Sequence, residues 1–222
     1  MRRGNVTTFV DRRDAGRRLG ERLAREPPPA PVVVLGLPRG GVPVAAEVAA
    51  ALGGELDVFL VRKLGAPFNP ELAVGAVASG GVTVYNEDLL RMLGLDAADL
   101  EPIRRRELAE LERRERVYRG GRPPPALEGR AVVLVDDGIA TGATMEAAAR
   151  AVRALHPAEV IVAVPTAATD AVERLERVAD RVVALSTPEP YISVGSWYES
   201  FPQLSDEDVI AALANAGGQD PG

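Results

Sequence analysis

Short apolar runs alternate with stretches of helical spacing along most of the chain. The apolar runs, rich in Val, Ile and Leu, cover residues 32–37, 56–61, 132–135, 159–164 and 181–185. Stretches with helical spacing cover residues 11–25, 42–52, 86–93 and 170–179, and another begins near residue 142. An order of strand, loop, helix and strand is typical of right-handed βαβ units with parallel strands. We therefore expect an α/β fold with a doubly wound, mainly parallel sheet flanked by helices.

The region after the second apolar run departs from this alternation. Residues 62–81 are rich in Gly, Pro and Asn and have little periodicity. A stretch of this length without regular spacing predicts a long loop, which in a compact domain is usually functional or disordered. Residues 82–85 predict a short strand that forms a hairpin with part of 73–78.

Two further regions lie outside the regular alternation of the predicted core at 32–185. Residues 95–119 are highly charged with a narrow apolar face, which predicts a helical insertion with i,i+4 ion pairs. Residues 186–204 carry aromatic side chains without a regular period, before a last helix that Ser205 is placed to cap. We expect one domain over residues 1–222, with the 186–204 segment forming a small hood.

Composition narrows the classes of function. The chain has 222 residues, a formal net charge of -6 and no cysteine. An acidic field repels nucleic acid, and the lack of Cys excludes disulfides, thiolate metal sites and Cys nucleophiles. The first residues lack the order typical of a signal peptide, and no apolar run approaches the ~18 residues needed to span a bilayer. We expect a cytoplasmic protein that binds neither nucleic acid nor membrane.

The densest chemical signal lies at residues 132–144. Four apolar residues predict a buried strand, Asp136 and Asp137 follow at its end, and a loop of small residues leads into a helix near Gly142. Bare backbone N–H groups and a helix N-terminus suit a phosphate, whereas two carboxylates suit hydroxyls or a hydrated cation. This combination predicts a binding site for a sugar phosphate.

Two common phosphate motifs do not match this segment. A P-loop needs four residues between its glycines and then Lys, but Gly138 and Gly142 enclose three residues and no Lys follows. A dinucleotide fingerprint does not match residues 36–41 either. Residues 132–144 instead resemble the binding motif for phosphoribosyl diphosphate (PRPP) in type I phosphoribosyltransferases. The alternative is a plain strand-to-helix turn.

The resemblance implies a type I phosphoribosyltransferase-like fold and a role for each part of the motif. Asp136 and Asp137 are the candidate catalytic residues, which would accept hydrogen bonds from the ribose hydroxyls. Mg²⁺ would be carried by PRPP with no direct protein ligand, reaching the two carboxylates through water. The residues that would hold the 5-phosphate are Gly138, Ile139, Ala140, Thr141, Gly142, Ala143 and Thr144.

The same resemblance implies a second anionic site for the diphosphate. Arg39, Gly40 and Gly41 follow the first core strand, where the family has its diphosphate loop. Arg62 and Lys63 follow the second strand, and in the family basic residues here also meet the diphosphate. The long loop after them stands where the family has a mobile lid. An ordinary Gly-rich turn and a solvated basic pair are the alternatives.

The acceptor site is less clearly marked. Trp197, Tyr198 and Phe201 in the hood could stack on an acceptor base, or could form a small satellite core. Family members that act on 6-oxopurines carry a Lys after the strand that follows the motif, and residues 165–169 have none. The polar segment 11–16 is expected to pack near the mouth of the site.

The organisation is closest to that of bacterial predicted phosphoribosyltransferases. The resemblance implies a PRPP- and Mg²⁺-dependent pentosyltransferase of nucleotide metabolism that releases diphosphate, with a nucleobase or related amine as acceptor. A sensor of PRPP or nucleotides without turnover is the main alternative, and another phosphosugar enzyme is a third. We expect a homodimer, to which the charged insertion could contribute a contact.

Overall fold

The computed structural model describes residues 8–217, which form two sheets and their covering helices. In chain order the elements are α1 (Arg12–Ala24), β1 (Val32–Gly36), α2 (Gly41–Leu52), β2 (Glu55–Val58), β3 (Val61–Ala66), β4 (Asn69–Ala78), β5 (Val82–Tyr85), α3 (Glu87–Leu93), α4 (Ala97–Arg119), β6 (Ala131–Val135), α5 (Ala143–Arg153), β7 (Glu159–Thr166), α6 (Thr169–Leu175), β8 (Arg181–Ser186) and α7 (Asp206–Gly217). Among the described residues, no helix has the length and apolar character needed to cross a membrane.

The larger sheet has five parallel strands in the order β2-β1-β6-β7-β8. Every residue of β1 and β6 is buried, because helices cover both faces of the sheet. One face packs on α5 and α6, and the other packs on α1 and α2. The predicted doubly wound, mainly parallel sheet is confirmed.

The order of the strands places the topological switch point of the sheet between β1 and β6. The chain moves outward from β1 to β2, and then returns to pair β6 on the other side of β1. The loops that leave β1 and β6 therefore lead in opposite directions along the sheet. In open α/β sheets, ligands bind at this switch point, outside the carboxyl ends of the strands.

The prediction of a long loop at 62–81 is wrong. These residues form the antiparallel strands β3 and β4, which with β5 make a separate three-stranded sheet. The register of β3 against β4 shifts on both sides of Gly65, and a Cβ there would lie 2.3 Å from the Pro70 carbonyl oxygen. This irregularity removes the period of two on which strand prediction depends. The predicted pairing of 82–85 with part of 73–78 is confirmed.

The predicted element bounds need two smaller corrections. The second strand ends at Val58 rather than residue 61, because the chain crosses there into the smaller sheet. The helix predicted at 170–179 spans Thr169–Leu175.

The charged insertion is confirmed as α4, whose C-terminal end is tied to the main sheet by a buried ion pair. Arg119 Nε donates to Asp57 Oδ2 at 2.7 Å, and its Nη2 donates to the Val58 carbonyl at 3.2 Å. Burial raises the pKa of Asp57, and the Arg119 guanidinium opposes that rise. The Arg119–Asp57 ion pair therefore joins β2 to α4 through a contact that is largely shielded from solvent.

Replacing Arg119 by Met should destabilise the fold by about 3–5 kcal/mol, because it leaves the Asp57 carboxylate buried without its cation. Urea unfolding followed by circular dichroism measures this change. Arg105→Met is the matched control on the same helix, since its side chain is 76% exposed. An Arg119→Met midpoint equal to that of the control would contradict the structural role of the buried pair.

Candidate functional site

The loops after β1 and β6 are in close contact at the switch point. Leu37 N donates to the Val135 carbonyl at 2.9 Å. A Cβ on Gly40 would lie 2.0 Å from Asp137 Oδ2, and a Cβ on Gly41 would lie 2.5 Å from the Val135 carbonyl oxygen. Only glycine allows this approach, so the structure brings the predicted diphosphate loop and the predicted acidic pair into one site.

Asp136 and Asp137 lie side by side with little access to solvent. Asp136 is half-buried and Asp137 is 9% exposed, and Asp136 Oδ1 accepts from the Asp137 amide at 2.8 Å. Burial and the neighbouring Asp137 charge raise the pKa of Asp136 well above its ordinary value. Burial also raises the pKa of Asp137, although Arg12 acts against that rise. The two carboxylates therefore differ in environment: among residues 8–217, Asp137 forms a direct ion pair with Arg12 and Asp136 forms none.

Arg12 is the cation beside Asp137, and sequence reasoning did not single it out. Its Nε donates to Asp137 Oδ2 at 2.8 Å, and its Nη1 donates to the Pro202 carbonyl at 2.8 Å. Its guanidinium carbon lies 3.7 Å from the centre of the Phe201 ring. The expectation that segment 11–16 packs near the site is confirmed for this residue. The pairing spans 125 positions, and no local sequence signal reports a contact of that separation.

The loop at 138–144 is anchored to the end of β7. Ile139 N donates to the Thr166 carbonyl and the Ile139 carbonyl accepts from Ala168 N, both at 2.9 Å. Ile139 is 4% exposed and belongs to the core. Its amide is therefore already engaged, which corrects its inclusion among free phosphate donors.

The rest of this loop retains the features of an anion site. Thr141 and Thr144 are exposed, and Gly142 takes a positive φ of 79° immediately before α5. The first-turn amides of a helix have no intrahelical acceptor, and the helix dipole adds partial positive charge there. Ala140 and Ala143 are also exposed, whereas Gly138 packs against Val194 and Thr166.

The basic residues predicted for the diphosphate differ in their contacts. Arg39 is exposed on the loop beside the acidic pair. Arg62, on β3, donates to Glu107 at 2.7 Å, and Lys63 donates to Glu71 at 3.0 Å. Both residues are thus paired with carboxylates, which differs from the solvated basic pair of the alternative, and their role at the diphosphate stays a prediction.

The aromatic residues of the hood form a packed cluster. Trp197 and Tyr198 are 9% and 7% exposed and pack with Phe9. The Tyr198 hydroxyl donates to the Asp137 carbonyl, while Phe201 is 36% exposed beneath Arg12. This arrangement supports the alternative of a satellite core for Trp197 and Tyr198. The cluster holds Asp137 in place rather than offering open ring faces.

Two polar side chains near the motif loop were missed by sequence reasoning. Thr166 Oγ1 at the end of β7 and the Tyr191 hydroxyl are buried, and neither makes a hydrogen bond of ordinary geometry among residues 8–217. Burial raises the pKa of Tyr191, and the neighbouring Thr166 hydroxyl opposes that rise. A cleft of about 310 Å³ adjoins Tyr191, and Ala168 and Thr169 also line it. No sequence pattern marks a single Thr or Tyr as a buried polar group.

A second and larger cleft lies elsewhere. It measures about 1280 Å³ and runs along α2 and α7, and Arg12 also lines it. Its lining includes neither Asp136 nor Asp137 and no residue of 138–144. The larger cleft therefore does not coincide with the candidate site, which is defined by the polar groups at the switch point.

The comparison with known families agrees with this geometry. A model of the phosphoribosyl transferase domain matches residues 11–197, so the chain belongs to the phosphoribosyl transferase family. The predicted fold class therefore rests on both the structure and the family match.

Similar proteins include a Mycobacterium tuberculosis protein named "Putative phosphoribosyl transferase Rv0571c", 52% identical over 208 residues. That match covers 94% of this chain and 47% of the relative, so the chain spans about half the length of the curated relatives it matches. The crystal structure of TT1426 from Thermus thermophilus is 53% identical with a TM-score of 0.85, and the match covers 94% of this chain and 99% of that chain.

Gly40→Ala should destabilise the protein by about 1–3 kcal/mol, because the added methyl overlaps the Asp137 carboxylate. In the Asp137→Ala background the methyl has room, so the two substitutions should be coupled by about 0.5–3 kcal/mol. Urea unfolding of the two single variants and the double variant measures the coupling. Additive effects would show that the two loops are not in contact in solution.

Proposed function

We propose that the chain is a PRPP-dependent phosphoribosyltransferase that passes a 5-phosphoribosyl group to a nitrogen acceptor and releases diphosphate. The observation that carries this proposal is the contact of the β1 and β6 loops at the switch point. It joins an anion-binding loop, two adjacent carboxylates and a glycine loop with the exposed Arg39. A ligand with a phosphate at one end, hydroxyls in the middle and a diphosphate at the other end matches that order.

The ribose and its 5-phosphate would bind to the loop after β6. The exposed Thr141 and Thr144 and the first amides of α5 would hold the phosphate. Asp136 and Asp137 would accept hydrogen bonds from the two ribose hydroxyls. Binding energy from the remote phosphate would then orient the reacting carbon.

The diphosphate would bind on the other side of the carboxylates, at Arg39 and the amide of Gly40. The Gly41 amide already donates to the Leu37 carbonyl at 3.0 Å, so Gly41 would contribute the close approach of the backbone rather than a donor.

Among residues 8–217, no group of three or more His, Cys, Asp or Glu side chains could hold a metal ion. Asp137 is already paired with Arg12. Asp136 and Asp137 therefore suit a hydrated Mg²⁺ that is bound to the incoming diphosphate and contacts them through water. When bound, that ion supplies Lewis-acid stabilisation of the leaving group.

The chemical step would be a displacement at the anomeric carbon. The bond from this carbon to the diphosphate oxygen breaks, and diphosphate leaves with the electron pair. A bond from the acceptor nitrogen to the same carbon forms, and the nitrogen loses its proton to solvent. Asp136 and Asp137 would stabilise the positive charge that develops on the ribose.

The proposal predicts that the protein binds PRPP with Mg²⁺ and releases diphosphate with at least one member of a panel of nucleobases and amines. The panel is needed because residues 165–169 lack the Lys that the resemblance ties to 6-oxopurines. Calorimetry measures binding, and a coupled diphosphate assay measures turnover. Binding without release for every acceptor would support the sensor instead, and no binding would contradict both functions.

Asp136→Asn is the matching loss-of-function variant in that assay. We expect release to fall by about a hundredfold or more, because the amide donates where the hydroxyl needs an acceptor. Since burial and the Asp137 charge raise the pKa of Asp136, a neutral residue should fold at least as stably at neutral pH. Asp88→Asn on α3 is the exposed control. Full activity in Asp136→Asn would remove this residue from the mechanism.

Arg39→Ala should weaken the binding of inorganic diphosphate by about tenfold, while ribose 5-phosphate binds nearly as before. The reason is that Arg39 stands on the β1 loop and the 5-phosphate site stands on the β6 loop. Calorimetric titration with each ligand separates the two. Equal loss for both ligands would place Arg39 outside the diphosphate site.

A further inference from the structure

We propose that Arg12 is a positioning residue that orients the Asp137 carboxylate for contact with the ribose. This inference rests on the proposed function, because it assigns a role at the same site. Arg12 belongs to α1, which lies outside the parallel sheet and before its first strand. Its contacts are with Asp137, the Pro202 carbonyl and the Phe201 ring, so its effect on a ribose bound at the carboxylates would pass through Asp137.

The contacts of Arg12 fix its guanidinium in one place. The residue is 8% exposed, and it is held by Asp137 Oδ2, the Pro202 carbonyl and the Phe201 ring. Hydrogen bonds in which both groups are charged are short and directional, so an Arg held at three points defines the position of its partner. The side chain of Asp137 therefore cannot rotate without breaking a buried ion pair.

The arrangement leaves one carboxylate oxygen for a ligand. Asp137 Oδ2 accepts a hydrogen bond from Arg12 Nε. The same oxygen lies 2.0 Å from the position that a Cβ on residue 40 would occupy. Within the described part of the chain, the other oxygen, Oδ1, accepts no hydrogen bond from a protein donor, although Gly40 and the Asp136 carboxylate lie beside the Asp137 side chain. A carboxylate with one oxygen anchored by a guanidinium keeps its second oxygen as an acceptor for a hydroxyl.

The position of Arg12 is itself set by the hood. Phe9 N donates to the Trp197 carbonyl at 2.9 Å, and Glu199 N donates to the Phe9 carbonyl at 2.8 Å. These bonds fix the chain just before α1, while the Tyr198 hydroxyl donates to the Asp137 carbonyl. The first residues of α1 and the hood thus hold both the main chain and the side chain of Asp137. Through these contacts, residues outside the sheet determine the geometry at its switch point.

A positioning role and a purely structural role give different results in a double-mutant cycle. The four proteins are the wild type, Arg12→Gln, Asp137→Asn and the double variant, each titrated with PRPP and Mg²⁺ by calorimetry. If Arg12 acts through Asp137, Arg12→Gln should weaken PRPP about tenfold in the wild-type background. In the Asp137→Asn background the same change should alter affinity by less than about twofold.

Two controls separate positioning from misfolding. Arg13→Gln removes the neighbouring exposed arginine of α1 and should bind PRPP as the wild type does. Arg12→Lys keeps the cation and should recover part of the affinity lost in Arg12→Gln. If thermal unfolding shows that Arg12→Gln does not fold, Arg12→Lys takes its place in the cycle.

Each outcome of the cycle decides one question. Unchanged affinity in a folded Arg12→Gln protein, or an equal loss in both backgrounds, would overturn the positioning role and leave the proposed function standing. Failure of the wild type to bind PRPP would overturn the proposed function and this inference with it. Loss of affinity confined to the background that retains Asp137 would establish the inference.

Discussion

The contact between Gly40 and the Asp137 carboxylate is the constraint on which the site depends. It exists because β1 and β6 are neighbours at the switch point, so that the loops leaving them meet. A side chain on residue 40 would separate the two loops, and with them the two regions proposed to bind the phosphate and the diphosphate. The parallel sheet thus determines the distance between the groups that would hold the two ends of PRPP.

Structure outside the sheet completes this site. The sheet supplies the acidic pair and the backbone donors, but the cation beside Asp137 comes from α1, and Phe201 of the hood packs against it. An acidic pair buried without a cation would be costly, because each charge raises the cost of ionising the other. The hood also stabilises Asp137, because the Tyr198 hydroxyl donates to the Asp137 main-chain carbonyl. Helix α1 and the hood, both outside the sheet, therefore hold Asp137 in place.

Local patterns predicted the parallel sheet and the motif loop, because buried strands and strand-end carboxylates leave a signal within a few residues. The hairpin of β3 and β4 was missed, since the shift around Gly65 removes the alternation that marks a strand. Ile139 was assigned to phosphate binding, although its amide pairs with the end of β7. Arg12 could not be paired with Asp137, because the contact joins residues 125 positions apart.

A crystal structure of the protein with PRPP and Mg²⁺ tests the central claim most directly. The account predicts the 5-phosphate within hydrogen-bond distance of the loop at 140–144. It predicts the ribose hydroxyls at Asp136 and Asp137, and the diphosphate beside Arg39. A ligand bound in the cleft along α2 and α7, or a ribose that touches neither carboxylate, would contradict it.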